Sequence, residues 1–273
     1  MKIVSSGRVL NSPAFYQKKK KKRQIRFILL SLGCLALLSS LVYLSRQERF
    51  LITEVTILGE DVVDKDKIVQ TTERLLSGHY LWIIPRANAF IYPRRAIEEN
   101  LLKEFPRFKS VDLNLSRSRT LLVSVEERTP FALYCADASQ CYFFDEDGFI
   151  FADAPSFSGN VYFIYRIEVP ITEPLGQRFL SPEEFQPLPK FIQELSTLGI
   201  SSLALEVGEA EYRLVLDNSG KIIWQRDSDL AIVYANLEAF LLDETIQAQN
   251  NFLDRILYLD LRTTNKVFYK FRE

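Results

Sequence analysis

Residues 27–44 read Phe27-Ile28-Leu29-Leu30-Ser31-Leu32-Gly33-Cys34-Leu35-Ala36-Leu37-Leu38-Ser39-Ser40-Leu41-Val42-Tyr43-Leu44, with no charge and no proline. Eighteen helical residues at about 1.5 Å each cover about 27 Å, close to the hydrocarbon thickness of a bilayer. In that medium the backbone satisfies its polar groups as a helix. The stretch therefore predicts a single transmembrane helix over 27–44. Immediately before it stands Lys18-Lys19-Lys20-Lys21-Lys22-Arg23-Gln24-Ile25-Arg26. Basic residues beside a span stay cytoplasmic, so 1–26 is expected as a basic cytoplasmic tail and everything after Leu44 as extracytoplasmic.

Other readings of the stretch fit less well. A cleaved signal peptide has a shorter apolar core and a small-x-small exit. Here the exit is Leu41-Val42-Tyr43-Leu44, and the flank of 26 residues is long for a signal. A buried core helix of this length would carry polar punctuation. A nucleic-acid patch is the other reading of the basic run. Charge further along argues against it. The first 44 residues hold nine Lys/Arg and no Asp/Glu; the remaining 229 hold 25 basic and 35 acidic residues, a net charge of about −10. Such an acidic part is a poor partner for phosphates and suits a module standing off an anionic membrane.

Outward from the span, the first 17 residues are polar and aperiodic and read as a disordered tail. Beyond it, Phe50–Leu58 alternates and stops at Gly59, as a strand does. Asp64 is placed to cap a helix over Lys65–Leu76, ended by Gly78. A second helix is expected over Arg94–Lys103 after Pro93, with Ile97, Leu101 and Leu102 inward, closed at Phe105-Pro106. Strands follow at Phe108–Leu115 and Thr120–Arg128, with a turn over Ser116–Arg119. The order β-α-(β)-α-β-β predicts two helices on a small sheet over 50–128. Its expected core is Ile57, Ile68, Leu75, Ile97, Leu101, Val111, Leu121 and Val123.

From Thr129 the texture changes to short strands. They are expected at Phe131–Cys135, Cys141–Asp145, Gly148–Ala152, Val161–Val169, Leu203–Val207, Glu211–Leu216, Lys221–Gln225, Arg255–Arg262 and Lys266–Phe271. Turns at Asp145–Gly148 and Asp217–Gly220 separate some of them. Ser181-Pro182-Glu183-Glu184 is a capping box opening a helix to about Leu198. Another helix is expected over Ser228–Asp243, carrying Ile232, Leu237, Phe240 and Leu241. The class is α+β, with a mostly antiparallel β domain and flanking helices over 129–273.

Chemistry-bearing clusters are sparse. The one histidine, His79, has no Ser or Cys elbow motif to serve. Asp145-Glu146-Asp147-Gly148 begins like a calcium loop but lacks the later Glu, and reads as a turn. No phosphate loop or dinucleotide fingerprint occurs. No catalytic, cofactor-binding or metal site is expected, which argues for a binding module. Cys135 and Cys141 flank a five-residue loop. They pair as a disulfide if their Cα atoms come within about 7 Å, or stand as two free thiols; the residues leave both readings open.

The candidate binding site is the last strand, Lys266-Val267-Phe268-Tyr269-Lys270-Phe271. Val267, Tyr269 and Phe271 fall on one face, Phe268 and Lys270 on the other. On an open sheet edge its main-chain groups are available to another chain's strand. The plainer reading is a hairpin partner of Arg255–Arg262 and nothing more.

Several passages resemble the bacterial cell-division family FtsQ/DivIB, over roughly Arg23 to Glu273. The most specific is Thr120-Leu121-x-Val123-x-Val125-x-Glu127-Arg128-x-Pro130-x-Ala132. Val55-x-Ile57-x-Gly59, Phe105-Pro106-Arg107-Phe108 with Val111-x-Leu113, Phe144-Asp145-x-Asp147-Gly148-x-Ile150-Phe151 and Leu259-Asp260-Leu261-Arg262 are similar to other family passages. The chain departs from the pattern at Thr263, where the family often has Tyr, and at Lys266, where a turn glycine is usual. The resemblance implies a POTRA-like domain over 50–128. It also implies a non-catalytic divisome scaffold that uses Lys266–Phe271 to recruit the small bitopic proteins FtsB/DivIC and FtsL, and so regulates septal peptidoglycan synthesis. It would sit in the cytoplasmic membrane at the division septum, with the lipid bilayer as its other partner and no nucleic acid. Two alternatives remain: a POTRA-type interaction module of a secretion or transport assembly, and a membrane-anchored hydrolase.

Overall fold

The computed structural model describes residues 13–116, 119–137, 140–249 and 251–272. Most of the expected disordered tail, the tip of the Ser116–Arg119 turn and the middle of the Cys135–Cys141 loop lie outside these residues.

Helix α1 runs Pro13–Ser45. It extends the expected span at its start, because Lys, Arg and Gln are good helix formers and proline is tolerated in a first turn. From Gln17 to Ser45 it is long and apolar enough to cross a membrane, and no part of that stretch is buried by the protein. The chain then divides into two compact units. One takes in residues up to Leu101 together with Asp112–Ser124; the other takes in Leu102–Val111 and Val125–Glu273.

The first unit holds β1 (Glu54–Leu58), α2 (Lys65–Leu76), β2 (His79–Tyr80) and β3 (Ile84–Pro85). Next come α3 (Arg94–Glu104), β4 (Phe108–Leu115) and β5 (Thr120–Glu127), all three shared with the second unit. The Asp64 carboxylate accepts the Asp66 N–H at 2.9 Å and caps α2. Three strands form a sheet in the order β1-β5-β4, with β1 parallel to β5 and Ile57 opposite Val123. Ile57, Ile68, Ile97, Leu101, Leu121 and Val123 are buried as expected. Leu75 and Val111 are only half-buried, while Leu76 and Leu113 beside them are fully inside. Leu102 is exposed. The first expected strand is shortened: Phe50 lies in a single 3-10 turn over Glu48–Phe50, and Leu51 makes an isolated bridge to Asn88.

The second unit is built on one nine-stranded sheet. Its strands are β6 (Ala132–Cys135), β7 (Cys141–Phe144), β8 (Ile150–Asp153), β9 (Ile164–Ile167), β10 (Ser202–Val207), β11 (Glu211–Leu216), β12 (Lys221–Gln225), β13 (Ile256–Thr263) and β14 (Lys266–Phe271). Their order is β14-β13-β12-β11-β10-β9-β6-β7-β8. Five of its eight strand pairings are antiparallel, as expected, and three are parallel. Strand β9 runs parallel to both β6 and β10, and β12 runs parallel to β13. Each parallel join requires a crossover connection. Two of these are helical: α4 (Pro182–Phe185) and α5 (Pro187–Thr197) between β9 and β10, and α6 (Leu230–Leu241), α7 (Glu244–Gln247) and α8 (Phe252–Arg255) between β12 and β13.

The expected single helix after Ser181 is thus two. Proline at 187 has no N–H to continue the ladder, and α5 restarts with that proline in its first turn. The helix expected over Ser228–Asp243 is shorter. Asp229 caps α6 by accepting the Ala231 N–H at 2.9 Å. Ile232 faces out, and Val233 takes its place in the core. That core joins Phe185, Leu188, Phe191 and Leu195 of α4 and α5 to Tyr134, Phe144, Tyr165, Tyr212 and Trp224 of the sheet. Leu237 and Phe240 extend it under α6.

A candidate partner-binding edge

Strand β14 is the outermost strand of the nine-stranded sheet; its inner side pairs antiparallel with β13. Strand β13 is a firm base because Ile256, Leu259 and Leu261 are buried. Gly220 lets the backbone before β12 come close to that base: a Cβ there would lie 2.3 Å from the Ile256 carbonyl oxygen. Both ends of β14 are tied. The Arg272 N–H donates to the Arg255 carbonyl at 2.7 Å, and the Arg255 guanidinium returns a bond to the Arg272 carbonyl at 2.8 Å. At the other end the Asn236 amide donates to the Thr264 carbonyl at 3.0 Å, fastening the hairpin turn to α6.

The six residues singled out in the sequence lie together on this edge. Val267 and Phe271 are half-buried against the core. Tyr269 shares their face, its ring 5.1 Å from Phe240 and 5.2 Å from Phe271, yet it is 45 % exposed. Phe268, on the other face, is 54 % exposed. Lys266 and Lys270 are exposed and carry positive charge along the edge.

Sequence reasoning missed the groove beside this strand. It has a volume of about 460 Å³ and is bounded by Asn236, Phe240, Asp243 and Thr245 on one side and by Thr264–Val267 and Tyr269 on the other. Phe240 reads as an ordinary core residue of an amphipathic helix; only the tertiary fold brings it beneath Tyr269. Asp243 caps α7, and hydrogen bonds from the Thr245 hydroxyl and N–H hold its carboxyl below the usual carboxylate range. Behind the edge, Arg262 donates to Asp260 at 2.6 Å and to Glu211 at 2.8 Å. The hydrogen bond to Asp260 raises Arg262 and lowers Asp260, with partial burial opposing both. The result is an edge with two exposed aromatic rings, Phe268 and Tyr269, beside a mostly polar groove that has Lys266 and Asp243 in its lining. It suits an extended chain more than a small molecule.

Elsewhere, Cys135 and Cys141 face each other across β6 and β7, joined by an S–S bond of 2.01 Å with Cα atoms 4.1 Å apart. Asp145 is committed to structure: it pairs with Arg128 and accepts the N–H groups of Asp147 and Phe149 at 3.0 and 2.9 Å. His79 is an exposed residue of β2. Among the described residues, no group of three or more His, Cys, Asp or Glu side chains is placed to hold a metal ion. Compared with known proteins, the chain matches no family model and no curated protein.

Proposed function

We propose that this chain is a membrane-anchored, non-catalytic scaffold of the FtsQ/DivIB kind. In this reading α1 anchors it in the cytoplasmic membrane with the basic tail inside. The POTRA-like part over 50–128 and the β domain stand outside, at the septum. Strand β14 recruits small bitopic partners, FtsB/DivIC-like and FtsL-like, and so links the chain to septal peptidoglycan synthesis.

The observation that carries the reading is the position of β14: an edge strand with Phe268 and Tyr269 exposed beside a groove. An added strand gains main-chain hydrogen bonds along the edge, and alternate side chains set specificity. Aromatic anchors at such sites are worth roughly 2 kcal/mol or more, about thirtyfold in affinity. The resemblance of the motifs supplies the partner class; the nine-to-zero charge bias before Phe27 supplies the orientation.

The test is capture of partners by the tagged full-length chain from its own cells, read by mass spectrometry. Tyr269→Ala and Phe268→Ala are the informative variants, because Phe271 is half-buried and its truncation also disturbs the core. Each is expected to cut recovery of a small bitopic partner strongly while the melting temperature holds. Proline at 268 or 269 should do the same at whichever position directs its N–H outward. Unaltered recovery with all of these variants would place the docking surface elsewhere. Absence of any bitopic partner from the wild-type capture would sink the scaffold reading itself.

A further inference from the structure

We infer that the turn between β2 and β3, together with Phe90, is a lipid-inserting anchor that seats the first unit on the outer face of the bilayer. The inference rests on the reading of α1 as a membrane span.

Among the described residues outside α1, the three most exposed large apolar side chains are Trp82 at 93 %, Leu81 at 86 % and Phe90 at 78 %. All three lie beside the point where α1 ends. The Arg46 guanidinium donates to the Ile83 carbonyl at 2.9 Å, and the buried Asn88 amide donates to the Ser45 carbonyl at 3.0 Å. The segment after the helix is stitched to the segment before Phe90 by Ile52 N–H to Ala87 carbonyl and Ala89 N–H to Phe50 carbonyl, both 2.8 Å. Trp82 is the neighbour of Ile83, and Phe90 lies two residues beyond Asn88. At about 3.5 Å per residue, these side chains are within about 10 Å of the residues that hold the helix end. The polar layer of a bilayer is about 5–8 Å deep on each side. The turn is therefore held close to the point where α1 leaves the hydrocarbon, within reach of the interface.

The backbone supports the same conclusion. Leu81 and Trp82 have φ values of +47° and +66°. The loop between Tyr80 and Ile84 has three residues, and its first two positions lie in the left-handed region that Gly and Asn adopt cheaply. This chain instead places a leucine and a tryptophan there, and so bears both backbone strain and apolar exposure. Insertion into the interface relieves the exposure of both side chains at once. The flanks fit such a site: Arg46 and Arg86 supply positive charge, and Arg86 lies 5.7 Å from the Tyr80 ring. Tryptophan and tyrosine with basic neighbours are the residues that settle at headgroup level.

Tryptophan fluorescence of the full chain tests the assignment, because the protein has two tryptophans and the other, Trp224, is fully buried in the second unit. The chain is reconstituted into phosphatidylcholine–phosphatidylglycerol vesicles, and the spectrum of Trp82→Phe is subtracted from that of the wild type. The difference signal is expected to fall at least twofold when the lipid is brominated near its headgroup end, and to resist aqueous acrylamide. Quenching by acrylamide with no effect of bromine would overturn the inference and leave the span intact. Shielding from both quenchers would overturn it in favour of a protein contact, such as a second copy of the chain. Release of the chain by alkaline carbonate would overturn the span, and the lipid anchor with it.

Discussion

Arg128 and Asp145 form a largely buried ion pair in the second unit, and the Arg128 guanidinium also lies 4.0 Å from the centre of the Phe149 ring. Asp145 closes the turn ahead of β8 by accepting the Asp147 and Phe149 N–H groups, so one carboxylate serves both the pair and the turn. Arg128 belongs to the Glu127-Arg128-x-Pro130 passage and Asp145 to the Asp145-x-Asp147-Gly148 passage. Two motifs that are separate in the sequence are thus one structural device.

Asp145→Ala is expected to be strongly destabilising, by about 3–5 kcal/mol, since it strands a buried guanidinium and two turn N–H groups. A urea titration of the detergent-solubilised chain measures it. A midpoint within error of wild type would mean that the pair contributes nothing beyond solvent exchange.

Val123 is fully buried on β5, opposite Ile57 of β1. Val123→Asp puts an unpaired charge in the core of the first unit and should cost several kcal/mol, a large part of the roughly 5–15 kcal/mol that holds an ordinary domain. Thermal unfolding followed by circular dichroism should show that transition lowered or lost. An unchanged curve is incompatible with this strand register.

Gly220→Ala places a methyl group against the Ile256 carbonyl, so β12 and β13 must separate or bend. Overpacking of this kind costs about 1–3 kcal/mol. Because β13 is the base of β14, the variant should also weaken partner capture, in proportion to its loss of stability. Normal stability together with normal capture would show that the backbone yields there without cost.

The Arg262 hydrogen bond holds Asp260 below the ordinary carboxylate range. A carboxyl depressed in the folded state adds stability above its unfolded pKa, about 3.9, and that stability is lost as the pH falls through the lower folded value. Asp260→Asn should therefore be less stable than wild type at pH 6, with the gap narrowing towards pH 3. A gap that stays constant across this range would remove Asp260 from the acid response.

Much of the local structure is legible in the residues. Helix α2 has the bounds read from Asp64 and Gly78, and strands β4, β5, β11 and β12 fall where alternation and turn residues put them. These features depend on contacts within a few residues: a cap, a glycine in the left-handed region, a period of two or 3.6. The break at Pro187 is also a local effect, since a proline inside a helix has no N–H for the ladder. Likewise, the apolar character of α1 and the alternation of Lys266–Phe271 need no tertiary information.

The order of the sheet was not legible. Nothing near Ile164–Ile167 in the sequence says that β9 enters between β6 and β10 and parallel to both. The outermost position of β14 follows from that order, whereas Arg128 meets Asp145 because the β6–β7 hairpin sets Phe131 and Ala132 against Phe144. Phe240 became the floor beneath Tyr269 only when the crossover from β12 to β13 laid α6 beside the last hairpin. Composition and period determined which segments are helix and strand, and that α1 is long and apolar enough to cross a membrane. Which strands are neighbours, which edge stays open and which apolar side chains remain in water were decided by long-range pairing, whose energy depends on residues far apart in the chain meeting in one register.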